Sequence, residues 1–355
     1  MKIIHDPVEI LQTSLNTWDT PFVELDCFGT DNAERITEVM NEFCRTHLGS
    51  KIGGYLFYGS SIGSTHGVQL EDGRALVIKV RPPPETNPYL SFDRASLESI
   101  CRVMSWLADL DYPCPRSILG PTPLSKGLAT VEEFLDQGRR GNGFDPLCRQ
   151  VIARGLAKLI DLLRSFDETV SCLKHFQRAA SLYPQPHSKL FDFNKTAVGA
   201  EWIDAFAERA RMAEAHESEA ILGHADWRVE HLRFQNGRIV ATYDWDSLAF
   251  RPETELVAIS AHGFTSDWTL DGARRIPTAD DIRAYVADYE TARGRPFSKR
   301  ERRSLFATCV YCIAYGARDA HSLEPVKKEW EENTWPYLLR TEGEALLAEA
   351  EGISS

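Results

Sequence analysis

Gly223-His224-Ala225-Asp226-Trp227-Arg228-Val229-Glu230-His231-Leu232-Arg233-Phe234, then Asn236-Gly237, then Ile239-Val240-Ala241-Thr242-Tyr243-Asp244-Trp245-Asp246, is the stretch on which the reading of this chain turns. Asn-Gly readily takes the two positive φ angles of a two-residue hairpin turn, so the spacing predicts a loop feeding a β-hairpin. Asp226 and Asp244 are 18 residues apart (244 − 226). A turn at Asn236-Gly237 folds the second strand back, and both carboxylates can then reach one end of the hairpin. Two acids converging there suit a general base and a metal ligand. On the hairpin alone, two exposed acids with no chemistry fit equally well.

Phosphoryl transfer uses such a pair, because the reaction depends on positioning an alcohol and neutralising phosphate charge with Mg²⁺. Upstream, Tyr55-Leu56-Phe57-Tyr58, Val68-Gln69-Leu70 and Ala75-Leu76-Val77-Ile78-Lys79-Val80 read as an antiparallel meander. The segment Gly59-Ser60-Ser61-Ile62-Gly63-Ser64-Thr65-His66-Gly67 between its first two strands could cover phosphates with backbone N–H groups, or be a plain hairpin turn. Lys79 is a charge inside an apolar run, and a buried ammonium calls for an anionic partner. Glu98 on the following helix is the natural candidate, with Asp93 as the alternative and a surface lysine as the simpler reading. Pro113 to Pro123 reads as an irregular return, Leu128 to Leu135 as a strand, and the chain beyond Gly143 as mainly helical, over 145–185, 200–220, 253–265, 279–293 and 298–322. Residues 7–16 and 32–47 read as two further helices.

Together these residues resemble the aminoglycoside phosphotransferase family, relatives of the protein and choline kinases, over about residues 51 to 322. The family's His-Gly-Asp-x-x-x-x-Asn catalytic loop and Ile-Asp-Trp metal motif find counterparts in His224-Ala225-Asp226 and Tyr243-Asp244-Trp245. The resemblance implies an α+β, two-lobe protein-kinase-like fold, with a small β-rich N-terminal lobe, a larger mainly helical C-terminal lobe and ATP in the cleft. It divides the chain into an N-terminal helical extension (1–50), a nucleotide-binding lobe (51–131), a hinge (132–138) and a catalytic and substrate lobe (139–355). Implied roles are Asp226 as base for the acceptor hydroxyl, Arg228 beside the γ-phosphate, and Asp244 as metal ligand, with His231 a further metal-ligand candidate. Lys79 held by Glu98 would contact the α/β-phosphates, Ser60, Gly63 and Ser64 would belong to the phosphate loop, and the backbone of Glu133, Phe134 and Leu135 would meet adenine. The expected cofactors are ATP and Mg²⁺, with Mn²⁺ as the alternative.

Three positions depart from the family pattern: Ala225 replaces a glycine, Glu255-Leu256 an Asp-Leu, and His231 the asparagine metal ligand. Imidazole suits softer ions than Mg²⁺. His231 could therefore ligate another metal, hydrogen-bond a phosphate, or mark lost chemistry. The leading expectation is ATP-dependent O-phosphorylation of a small hydroxylated molecule, an aminoglycoside-like or other antibiotic. A metabolite kinase for an amino alcohol or sugar and a nucleotide-binding pseudokinase are the alternatives.

Composition limits the other classes. The 355 residues are 43% hydrophobic and 26% charged, which excludes wholesale disorder, and a net charge of −12 speaks against a phosphate-backbone binder of nucleic acid. Residues 201–355 carry 28 acids and 19 bases, hence −9 of that charge. Together with the resemblance, that balance makes a cationic acceptor attractive, with Asp267, Asp271, Asp280 and Asp281 as candidates for an acidic wall, although Asp280 and Asp281 also suit a helix N-terminus. With no signal-peptide pattern and no 18-residue apolar run, a cytoplasmic protein is expected, with no membrane partner. Eight scattered cysteines read as reduced thiols, and Cys309-Val310-Tyr311-Cys312 as core rather than a zinc site.

Overall fold

The computed structural model describes residues 4–17, 21–86, 92–166, 170, 173, 180–186, 188, 190–214, 219–270 and 272–352. The chain divides into two compact units, the first formed by Met1–Asp136 with His187–Lys189, the second by the remainder.

The first unit opens with α1 (Pro7–Leu15), α2 (Phe22–Phe28) and α3 (Ala33–Leu48). Asp6 caps α1 by accepting from the Val8 and Glu9 amides, and Asn32 caps α3 by accepting from the Arg35 amide. A five-stranded antiparallel sheet follows, built from β1 (Ile52–Ser60), β2 (Ser64–Leu70), β3 (Ala75–Arg81), β4 (Ser117–Leu124) and β5 (Gly127–Glu133) in the order β1-β2-β3-β5-β4. The central β3 is buried along nearly its whole length, as its unbroken apolar run requires. Helix α4 (Arg94–Asp109) joins β3 to β4, starting at the Asp93 cap.

Two features of this unit differ from the sequence expectation. The stretch 113–123, expected to be irregular, contains β4, an edge strand with two register shifts that accommodates Pro121 and Pro123 because an edge leaves one row of N–H groups unpaired. The first 50 residues are not an appendage. They contain the unassigned helix α2, and Leu11, Cys27, Phe28, Ile36, Met40 and Phe43 share one core with Tyr55, Val68, Ile78, Val80 and Val131 of the sheet. These helices cover a sheet face that would otherwise meet water.

The second unit contains α5 (Pro146–Leu163), α6 (Glu201–Ala213), β6 (Ala220–His224), β7 (Leu232–Gln235), β8 (Arg238–Thr242), β9 (Leu248–Pro252), α7 (Glu253–Gly263), α8 (Ala279–Ala292), α9 (Lys299–Leu323) and α10 (Trp335–Glu351). Its strands form two separate antiparallel pairs, β6 with β9 and β7 with β8. The helix expected over 145–185 stops at Leu163; the described residues beyond it in that range are not helical. Helix α10, which the sequence reading does not assign, starts at the Thr334 cap and buries Leu338, Leu339, Leu346 and Leu347, packing chiefly on α9. No helix among the described residues is long and apolar enough to cross a membrane. The seven described cysteines are free thiols; Cys172 lies outside the described residues.

Candidate active site

The β7–β8 hairpin turns at Asn236 and Gly237, with φ of 51° and 69°, as that dipeptide favours. Its register sets Leu232 opposite Thr242, and one step further out the Tyr243 amide donates to the His231 carbonyl at 2.9 Å. Asp244 is thereby brought to His231. The second strand pair approaches from the other side, with His224 opposite Leu248 and the Ala225 amide donating to the Ser247 carbonyl at 2.9 Å. Two short ladders thus pin both ends of the 18-residue interval, and donor atoms of Asp226, His231 and Asp244 all lie within 4.8 Å of one another. Asp244 has φ 60° and ψ 45°, left-handed backbone that non-glycine residues seldom adopt.

Asp226 is engaged through both oxygens. Its Oδ1 accepts from Arg228 Nη1 at 2.7 Å and its Oδ2 lies 3.1 Å from His231 Nε2, which is in turn 3.8 Å from Asp244 Oδ2. Burial by itself would raise the Asp226 pKa; the Arg228 guanidinium and then the His231 hydrogen bond outweigh it and hold the carboxyl well below the usual carboxylate range. His224 sits beneath the loop, its Nδ1 accepting from the Asp226 amide at 3.2 Å and its Nε2 donating to the Tyr243 carbonyl at 3.1 Å. That pairing requires the neutral Nε2–H tautomer. Burial, and next the neighbouring His231, push its pKa down to about 4, so the ring stays neutral.

Arg228 spans two carboxylates, because its Nε donates to Glu230 Oε2 at 3.1 Å, and the same Glu230 oxygen accepts from the Trp268 amide at 3.2 Å. Sequence reasoning missed Glu230. Its only signal is a position two residues beyond Arg228, which becomes meaningful once the single 3₁₀ turn Val229–His231 is known.

In the first unit Lys79 is buried on β3, with its Nζ 3.5 Å from Glu132 Oε1. This corrects the expected pairing: Glu98 pairs with Arg94 on its own exposed helix face at 3.8 Å, and Asp93 is spent on the α4 cap. Glu132 reaches Lys79 because β5 lies beside β3, with Lys79 opposite Thr130 and Val77 opposite Glu132. The expected phosphate loop is a tight turn. Ser60 already pairs with Ser64, and Ser64 is buried with its Oγ 2.9 Å from His66 Nε2, so its side chain faces inward. Gly63 is closely packed; an added Cβ would come within 2.5 Å of the Val80 carbonyl and of Arg81 Nη1. Of the expected adenine-contacting backbone, the Glu133 amide donates to the Arg116 carbonyl at 3.0 Å and the Phe134 amide to the Ala75 carbonyl at 3.4 Å. Leu135 follows directly.

The acidic wall does not form as expected. Asp267 is buried and ties loop to loop, its Oδ2 accepting from Arg140 at 2.8 Å and its Oδ1 from the Thr269 amide at 3.0 Å. Asp281 closes a capping box with Thr278 and accepts from Arg274, while Asp280 pairs with Arg283 on the same helix. Each acid serves its own backbone or a neighbouring arginine. Asp271 lies outside the described residues.

The donor set fits a divalent cation: two carboxylates and one imidazole, with Arg228 turned to the other oxygen of Asp226. No protein-family model and no curated protein matches the sequence. Solved structures do match in fold. An amicoumacin kinase in complex with AMP-PNP and Ca²⁺ aligns over 83% of this chain and 86% of its own at 10% identity and TM-score 0.55. Spectinomycin phosphotransferase in complex with ADP and spectinomycin aligns over 86% and 97% at 14% identity and TM-score 0.54. An aminoglycoside phosphotransferase from Alicyclobacillus acidocaldarius aligns over 87% and 93% at 11% identity and TM-score 0.51. With a β-sheet unit, a helical unit and these neighbours, the chain has the kinase-like α+β fold of the aminoglycoside phosphotransferases.

Proposed function

We propose that this chain is an ATP-dependent O-phosphotransferase acting on a hydroxyl of a small molecule, with an antibiotic as its acceptor. The observation that carries the reading is the convergence of Asp226, His231 and Asp244 at the hairpin end, with Arg228 braced between Asp226 and Glu230. The neighbours that bind nucleotide and spectinomycin support the donor and the acceptor class.

In this reading Asp226 orients the acceptor hydroxyl and takes its proton. A carboxylate held strongly ionised is a weak proton acceptor, so its main contribution is to aim an oxygen lone pair at the hydroxyl, with proton transfer late in a loose transition state. Arg228 fixes the carboxylate plane and leaves its second oxygen turned toward His231. Neutral His224 holds the loop backbone through the Asp226 amide. Asp244 and His231 would hold the divalent cation, which when bound neutralises phosphate charge. Lys79, kept in place by Glu132, would contact the nucleotide phosphates, with the β1–β2 turn contributing backbone N–H groups. The internal pairing of Asp267, Asp280 and Asp281 removes the specific argument for a cationic acceptor, so the acceptor is proposed only as hydroxylated.

Incubation with ATP and a panel of antibiotics, amino alcohols and sugars, read by mass spectrometry, tests this. The expected result is a mass gain of one phosphate on at least one compound. ATP binding without transfer to any of them would favour a nucleotide-binding pseudokinase, and absence of ATP binding would overturn the reading.

A further inference from the structure

We propose that the cation site formed by His231 and Asp244 beside Asp226 selects a first-row transition ion of the Mn²⁺, Co²⁺ and Zn²⁺ group over Mg²⁺, with His231 Nε2 as the selecting ligand. From the functional reading above, this takes only that a divalent cation belongs at this place.

Two ligand atoms about 2.1 Å from one ion stand about 3.0 to 3.4 Å apart in octahedral or tetrahedral geometry. His231 Nε2 is 3.8 Å from Asp244 Oδ2, so the two can share one ion after shifts of a few tenths of an ångström, and Asp226 Oδ2 lies 3.1 Å from the same nitrogen. The imidazole has little freedom to turn away. Its residue closes the 3₁₀ turn, its amide donates to the Arg228 carbonyl at 3.0 Å, its carbonyl accepts from Tyr243 at 2.9 Å, and its side chain is only 12% exposed. Mg²⁺ is satisfied by hard oxygen donors and water, whereas imidazole nitrogen adds affinity for the softer ions. A nitrogen held between two carboxylates therefore favours the transition ion at little cost in flexibility.

The test needs neither nucleotide nor acceptor. Metal-free full-length protein is titrated with Mn²⁺, followed by electron paramagnetic resonance, with Mg²⁺ as competitor. Mn²⁺ should bind at least ~10-fold more tightly than Mg²⁺, and the spin echo of bound Mn²⁺ should carry the modulation of a coordinated ¹⁴N. His231→Asn, close in shape, should lose that modulation and most of the Mn²⁺ advantage while keeping its Mg²⁺ affinity. The exposed helix variant His47→Asn serves as control and should change neither. An absent nitrogen signal, or equal Mn²⁺ affinity in wild type and His231→Asn, would overturn the inference. Phosphate transfer with Mg²⁺ and no nitrogen ligation would sink it while leaving the kinase reading intact, and nitrogen ligation without phosphate transfer would do the reverse.

Discussion

At the scale of single residues, the site is governed by how few free lone pairs Asp226 retains. Replacing it with Asn preserves size and the Arg228 and His231 contacts in part, but removes the charge; turnover on the acceptor should fall at least ~100-fold with nucleotide affinity nearly unchanged, measured by steady-state kinetics and equilibrium binding. Arg228 supplies the largest influence lowering the Asp226 pKa against burial, which pulls it upward. In Arg228→Met that influence is lost, so the carboxyl pKa rises and an acidic limb enters the pH dependence of kcat/KM, with activity falling as pH drops through the new value. A profile superimposable on wild type would show that Arg228 does not set the charge of Asp226. Asp244 carries a separate, conformational demand at φ 60°. Asn tolerates left-handed backbone and Ala does not, so Asp244→Ala should unfold about 1 kcal/mol more easily than Asp244→Asn in urea, although both lose the same metal-ligand charge. Asp226, His231 and Asp244 were legible in the sequence because each stands at a fixed offset from a recognisable turn. Glu230 was not, since a glutamate two residues from an arginine is common and only the Trp268 amide brought to it reveals its place.

Among the elements, α2 has the least obvious purpose and the clearest attachment. Glu24, 1% exposed, accepts from the Tyr58 hydroxyl of β1, and Cys27 Sγ contacts the Val80 carbonyl of β3 at 3.5 Å. Burial and then the Glu24 carboxylate hold the Tyr58 hydroxyl protonated, so it stays a donor. Tyr58→Phe would strand a buried carboxylate and should cost about 2 kcal/mol or more, whereas Tyr58→Phe with Glu24→Leu, which removes both polar groups, should recover most of that loss in urea titrations. An additive double variant would mean the pair is not coupled. Close by, His66 is enclosed with Nδ1 2.9 Å from the Tyr55 hydroxyl and Nε2 2.9 Å from Ser64 Oγ, which draws the far side of the β1–β2 turn inward. The meander and the capped helices α1 and α3 follow from alternation, Asn, Asp and Gly. Helix α2, seven residues behind a proline with no side-chain cap, offers no such signal, and its helical state depends on the sheet it covers.

On the scale of the whole molecule, each unit carries a fully buried neutral histidine, His66 in the first and His224 in the second, with pKa values pushed by burial down to about 3 and, with His231 adding to burial, to about 4. An unfolded histidine titrates near 6.5. Between that value and the folded one, the unfolded chain binds more protons, so stability rises with pH and is lost on acidification. Each histidine should contribute about 1.4 kcal/mol per pH unit across the window from about pH 6 to 4. The urea midpoint of the first unit should therefore fall on acidification from pH 7 to 5, and a flat response would mean that His66 is not buried neutral; in the second unit Asp319, pushed up to about 7 by burial, works in the opposite direction and reduces the fall. What the amino-acid sequence determined by itself is whatever a few neighbouring residues can enforce: the Asn236-Gly237 turn, which needs positive φ at both positions, and through it the meeting of Asp226 and Asp244; the caps; and the apolar run of β3. What only the tertiary structure decided is every pairing that depends on which strands and loops become neighbours. Lys79 finds Glu132, 53 residues on (132 − 79), because β5 inserts beside β3 ahead of β4, and Asp267 turns from a free acid into a loop tie because Arg140 folds against it. Strand order and loop apposition are set by the burial of the entire core, a global minimum that no local spacing encodes.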